Sequence, residues 1–177
     1  MLDTRELGRR PGSQRQVARQ VPAPSELGIE VLHVPEGSPV DLDLRLEAVM
    51  EGVLVTGVAT AALEGECVRC LDPIADDLDV TFQELFVYAD RAADDDGALD
   101  DEVRRLEGDL VDLEPALRDT VVPVLPFQPL CGPDCPGLCS ECGARLADDP
   151  DHTHEILDPR WAALGGLTST QDDTKES

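Results

Sequence analysis

The six cysteines of this 177-residue chain fall into two clusters: Cys67 and Cys70 form one C-x-x-C, and Cys131, Cys135, Cys139 and Cys142 form C-x3-C-x3-C-x2-C. Short spacings of this kind let two thiolates reach one tetrahedral ion from a single tight turn, and two such turns complete its shell. Beyond Cys142 stand His152 and His154, which raise the donor count to eight, enough for two tetrahedral zinc sites with none left over. The favoured partition takes Cys67, Cys70, Cys131 and Cys135 for one ion and Cys139, Cys142, His152 and His154 for the other. A rival partition gathers Cys67, Cys70, Cys139 and Cys142 around a single ion. A shell made wholly of protein donors leaves no open position for water, so the metal reads as structural rather than catalytic. In small finger peptides such an ion contributes about 10–16 kcal/mol, more than the whole stability of a marginal domain.

Blander readings stand beside these. A C-x-x-C can be a redox pair, but that chemistry wants a strand-to-helix step, whereas Cys67 ends a strand in an apparent hairpin. His33 lies alone in a short apolar stretch and reads as structural, and His152 and His154 can equally be plain surface residues. No glycine-rich phosphate loop, nucleophile elbow or isolated carboxylate pair stands out.

Composition narrows the partners. With 38 acidic against 14 basic side chains the formal charge is -24, a field that repels phosphate and attracts basic proteins. Broad contact with a nucleic-acid backbone is disfavoured, because that affinity comes from Lys and Arg displacing counterions. The same acidity also serves plain solubility. No small-molecule substrate is expected. The opening residues carry no apolar core of a signal peptide and no stretch approaches a membrane span, so the expected location is the cytoplasm. In that reducing compartment the cysteines are expected as thiolate ligands rather than disulfides.

The pattern predicts an α+β fold: a small antiparallel sheet, one main amphipathic helix and a C-terminal zinc-knuckle segment over 131–154. Apolar residues alternate from Val40 to Met50 and again from Val53 to Leu63, which makes a hairpin turning near Gly52. A third strand follows through Leu78, Val80 and Phe82, with a phase slip and a bulge near Glu84. Leu113, Leu117, Val121 and Leu125 recur at helical spacing, Asp112 is placed to cap that helix, and Pro123 limits its run. Residues 1–24 read as a flexible basic arm carrying Arg5, Arg9, Arg10, Arg15 and Arg19, and 89–108 as a mobile acidic loop. A single zinc-binding domain is expected over 25–167, with a capped helical turn at 158–164 that turns Trp161 inward, and a disordered tail over 168–177.

Three separated motifs carry a resemblance. The run Gly65–Pro73 around Cys67 and Cys70, the run Leu130–Gly143 around the other four cysteines, and Asp158-Pro159-Arg160-Trp161 resemble the YceD family, the large ribosomal RNA subunit accumulation proteins. The opening Asp3–Arg10 is similar to actinobacterial members. The resemblance implies a non-enzymatic factor that large-subunit ribosomal RNA needs in order to accumulate, in a family whose gene often adjoins that of a small zinc-containing ribosomal protein. In members that have a Cys-x-Cys after the second motif, that pair falls where this chain has His152 and His154. Charge and resemblance together predict that the acidic surface, including the run 94–102, binds a basic ribosomal protein or a large-subunit precursor, with contact to RNA indirect or through the N-terminal arm. Two alternatives are a zinc-dependent hydrolase of precursor RNA and a thiol or zinc redox sensor.

Overall fold

The computed structural model describes residues 1–89 and 103–154. The chain divides into two compact units, Met1–Cys135 and a second beginning at Pro136, where the sequence pattern suggests one domain over 25–167. In the first unit the elements are β1 (Leu2–Asp3), β2 (Gln14–Pro22), β3 (Leu27–Ile29), β4 (Leu32–Val34), β5 (Pro39–Ala48), β6 (Gly52–Glu66), β7 (Pro73–Val87), β8 (Leu110–Val111) and α1 (Glu114–Val124). The expected antiparallel sheet and helix are both there, with strand far outweighing helix. β2, β5, β6, β4 and β3 follow one another across a six-stranded antiparallel sheet in which β7 also pairs with β6, while β1 and β8 form a separate two-stranded sheet. The described part of the second unit is built of turns around one bridge, Leu138 opposite Arg145.

Alternation fixes which side of the sheet is dry. Val40, Leu42, Leu44, Leu46 and Ala48 are all buried, and opposite them lie Ala61, Ala59, Gly57, Val55 and Val53 of β6. The turn between the strands is closed by the Val49 N–H donating to Gly52 O at 2.9 Å, so the hairpin falls where the pattern placed it, with Met50 exposed in the turn rather than ending the strand. In the row Leu44–Gly57–Phe82 a Cβ on Gly57 would come within 2.5 Å of Leu44 Cδ2 and 2.9 Å of the Phe82 ring. Two large side chains meet there only because the residue between them has none.

Three expectations change. β7 runs unbroken, with each residue from Pro73 to Val87 paired in one register to β6, so there is no bulge at Glu84. The inward row is Leu78, Val80, Phe82, Glu84 and Phe86; Glu84 holds an inward position because Arg104 donates to its carboxylate at 3.0 Å. The basic arm is not free chain either, since β2 pairs residue for residue with β5. Its alternation is Arg15, Val17, Arg19, Val21, hidden because arginines occupy two of the core-side positions; Arg15 reaches Glu6 at 2.6 Å. Of the acidic loop, 90–102 lies outside the described residues, but Leu106 is buried and Arg105 bridges Val87.

Leu113, Leu117, Val121 and Leu125 are all buried, as their spacing predicts, and α1 packs against β3 and β7. The cap position is Leu113, one residue later than expected, and the Asp112 carboxylate accepts the Glu114 N–H at 3.2 Å. Pro115 occupies the first turn, where its missing N–H costs nothing, and Pro123 falls in the last. The helical turn at 158–164 and the tail 168–177 lie outside the described residues. Replacing Gly57 by Val will lower stability by about 1–3 kcal/mol by overpacking that row; a urea midpoint equal to that of the unchanged protein would refute the packing.

Candidate metal centres

The loop that joins β6 to β7 is Cys67–Asp72, and it carries the first C-x-x-C. The Leu71 N–H donates to Cys67 O at 2.9 Å and the Cys67 N–H to Asp72 O at 2.8 Å, a closure that places Leu71 at φ +61°. The second C-x-x-C repeats this design. There the Gly143 N–H donates to Cys139 O at 2.8 Å, the Cys139 N–H to Ala144 O at 2.8 Å, and Gly143 has φ +73°. In both turns the residue after the second cysteine takes the left-handed conformation, natural for glycine and costing a leucine roughly 1–2 kcal/mol. Such turns aim two thiols and several backbone N–H groups at one point.

The Val68 N–H donates to Pro129 O at 3.0 Å, which brings the segment after α1 against the first turn. Cys67 Sγ then lies 3.8 Å from Cys135 Sγ, and Cys70 Sγ 3.5 Å from Cys131 Sγ. All four sulfurs fall within 4.8 Å of one another. A tetrahedral ion with bonds of about 2.3 Å to sulfur has edges of about 3.8 Å, so the set fits. Cys67, Cys70 and Cys135 are buried while Cys131 is exposed. Two neighbours missing from the sequence reading support the cluster: Asp72 accepts from the Cys70 thiol at 3.3 Å, and Arg69 donates to Cys135 O at 3.0 Å. Their signal lay within the motif itself, since Arg69 adjoins Cys70 and Asp72 stands two residues beyond it.

In the second unit Cys142 Sγ lies 3.2 Å from both His152 Nε2 and His154 Nε2, and the two ring nitrogens are 2.8 Å apart. With Cys139 these atoms also lie within 4.8 Å of one another. This group is open: Cys142 and His154 are exposed, Cys139 and His152 half-buried. Asp149 Oδ2 stands 3.7 Å from His152 Nδ1, an orienting contact that leaves Nε2 facing the other donors. The structure thus brings the eight donors together in the favoured partition, as two groups each able to hold a metal ion, and does not gather Cys67, Cys70, Cys139 and Cys142 around one point. His33, read as structural, is exposed on β4.

The electrostatics suit cation capture. Burial pushes the Cys67 thiol up, but the N–H groups of Cys131, Cys70 and Arg69 and the Cys70 thiol outweigh it and bring it down to about 6. Burial and the adjoining thiols push Cys70 up to about 12. The N–H groups of Glu141 and Cys142 bring Cys139 down to about 6 against the cost of burial, aided by Cys142 and His152. Each group therefore offers one ready thiolate near neutrality, the form in which cysteine binds a metal. Four protein donors would fill a tetrahedral shell in each group, whereas a hydrolytic centre keeps one position open for water.

The profile of the YceD family, described as large ribosomal RNA subunit accumulation protein YceD, matches residues 55–168. A protein of Mycobacterium tuberculosis named only as uncharacterized is 46% identical over 173 residues, spanning 98% of this chain and 83% of that one. Another of Mycobacterium leprae is 42% identical over 164 residues, 93% and 75% of the two chains. No solved structure matches this chain significantly. In metal-free protein at pH 7, iodoacetamide will modify Cys139 ahead of Cys67, because both favour the thiolate but Cys67 is fully buried; peptide mass mapping over time reads the order.

Proposed function

This chain belongs to the YceD family, and from that membership we propose that it is a non-enzymatic factor for accumulation of large-subunit ribosomal RNA. The observation that supports the reading is the convergence of eight donors into two four-donor groups, each able to hold a metal ion as a structural tether. Zinc suits both sets, since thiolate and imidazole are its preferred ligands. When bound it supplies a fixed tetrahedral node. Cys67, Cys70, Cys131 and Cys135 would hold the β6–β7 loop to the segment beyond α1; Cys139, Cys142, His152 and His154 would close the second unit. The formal charge of -24 favours a basic ribosomal protein or a precursor particle as the direct partner.

Among the described residues no helix is long and apolar enough to cross a membrane, in keeping with action in the cytoplasm. A second reading has one observation behind it: the part-exposed Cys139 thiolate gives the open group the reactivity of a thiol sensor. Loss of metal from this group under mild peroxide, with reversible loss of partner binding, would establish that role.

Native protein will yield two zinc ions per chain by metal analysis, and Cys70→Ser and Cys142→Ser will each yield one. A count of one in the unchanged protein would remove the two-site reading. Depletion in cells will lower large-subunit ribosomal RNA relative to small-subunit RNA, and Cys70→Ser will fail to restore it. Restoration by that variant would separate the cysteines from the function.

A further inference from the structure

The two faces of the sheet differ in what covers them. Apolar residues fill the side carrying Leu44, Gly57 and Phe82, while the opposite side is exposed along β5 and β7 and half-buried along the middle of β6. Its residues follow from the register. Asp41, Thr60 and Asp79 lie abreast on β5, β6 and β7, Asp43, Val58 and Thr81 form the next row, and Ala62 faces Asp77. Further along β6 comes Glu64, opposite His33 of β4, and then Glu66.

Three hollows follow one another along β6 on this side. One of about 730 Å³ is lined by Glu30, His33, Glu64 and Glu66, with Ile74 and Ala75. The next, about 390 Å³, is lined by Asp41, Thr60, Ala62, Asp77 and Asp79. The third, about 510 Å³, shares Asp41 and Thr60 and adds Asp43 and Val58, with Arg19 bordering it from the core side. The walls thus carry seven exposed carboxylates over a floor of small and hydroxyl side chains. Among the described residues no Lys or Arg forms an ion pair with any of the seven, although such pairs occur elsewhere, as between Arg45 and Glu47 on the same face at 2.8 Å. Only the Gln20 amide, donating to Asp41 at 2.9 Å, satisfies one of them.

We propose that this acidic half of the open sheet face is the docking surface for an extended, Lys- or Arg-rich polypeptide segment, an assignment that rests on the reading of a basic protein partner and gives it a place. Charge complementarity selects the occupant: a nucleic-acid backbone is repelled, whereas each hollow takes a long basic side chain whose head meets two or three carboxylates, drawn in the middle hollow from both β5 and β7. The small floor residues Thr60 and Ala62 let an extended backbone approach closely. The face also ends at Glu66, next to Cys67, so the first metal group fixes the end of the strand that lines the hollows.

The test uses the full zinc-loaded chain and a fluorescent ten-residue peptide of alternating Arg and Thr, titrated by anisotropy at two salt concentrations. One variant neutralises the face (Asp41→Asn, Glu64→Gln, Asp77→Asn, Asp79→Asn); a second removes the same charge from the acidic run (Asp94→Asn, Asp95→Asn, Asp96→Asn, Glu102→Gln). The expected result is a loss of affinity of about tenfold or more for the first and less than about threefold for the second, with circular dichroism and thermal midpoints unchanged. Equal losses in both would mean diffuse attraction and overturn the assignment. Loss confined to the second variant would move the surface to the run and leave the basic-partner reading intact. Absence of binding to the unchanged protein at low salt would end the basic-partner reading itself.

Discussion

The fifteen consecutive pairs from Gly52 opposite Val87 to Glu66 opposite Pro73 hold β6 against β7 in one register, and the rest of the first unit is arranged on that ladder. β5 pairs along the other edge of β6 and α1 packs against β7; the outward side supplies the row of carboxylates, and the far end becomes the turn of Cys67 and Cys70. A one-residue slip would exchange the two faces, putting Asp77 and Asp79 into the core and Leu78 and Val80 into water. Register, and not any single contact, therefore decides where both the apolar core and the acidic hollows lie.

The metal groups act on this frame unequally. In the first, three of four sulfurs are buried and the donors come from segments about sixty residues apart, so a bound ion would close a long loop and restrict the unfolded chain substantially. In the second, all donors lie within sixteen residues and half are exposed, so it orders only its own turns. The core is also fuller than a 3% aromatic content suggests. Phe82, Phe86 and Tyr88 are buried together with a large aliphatic set, and an ion there adds to an existing interior rather than standing in for one.

What could be read from the sequence follows from which signals are local. The hairpin of β5 and β6, the third strand, the helix and the sorting of eight donors into two fours all rest on periodicity or short spacing, and each is found. β2 escaped because Arg15 and Arg19 sit where apolar residues are expected, at an edge where long side chains reach water past the core. Glu84 misled in the same way, its inward position depending on Arg104 twenty residues on, a contact with no local trace. The open acidic face was invisible as a site, since alternation shows that a side is polar but not that Asp41 of β5 and Asp79 of β7, far apart in the chain, are brought abreast. Asp149 could have been anticipated, standing one helical turn before His152.

At the margin of the sheet, among the described residues, β2 pairs with β5 on one flank only, yet its core-side positions hold Arg15 and Arg19 and its other side holds Gln14, Gln16 and Gln20. A second molecule attempting to lengthen the sheet along that border would have to dehydrate two guanidinium groups for whatever backbone bonds it made. The arginines thus act as a terminator: among the described strands the order ends at β2, and its guanidinium groups disfavour end-to-end growth into fibrils.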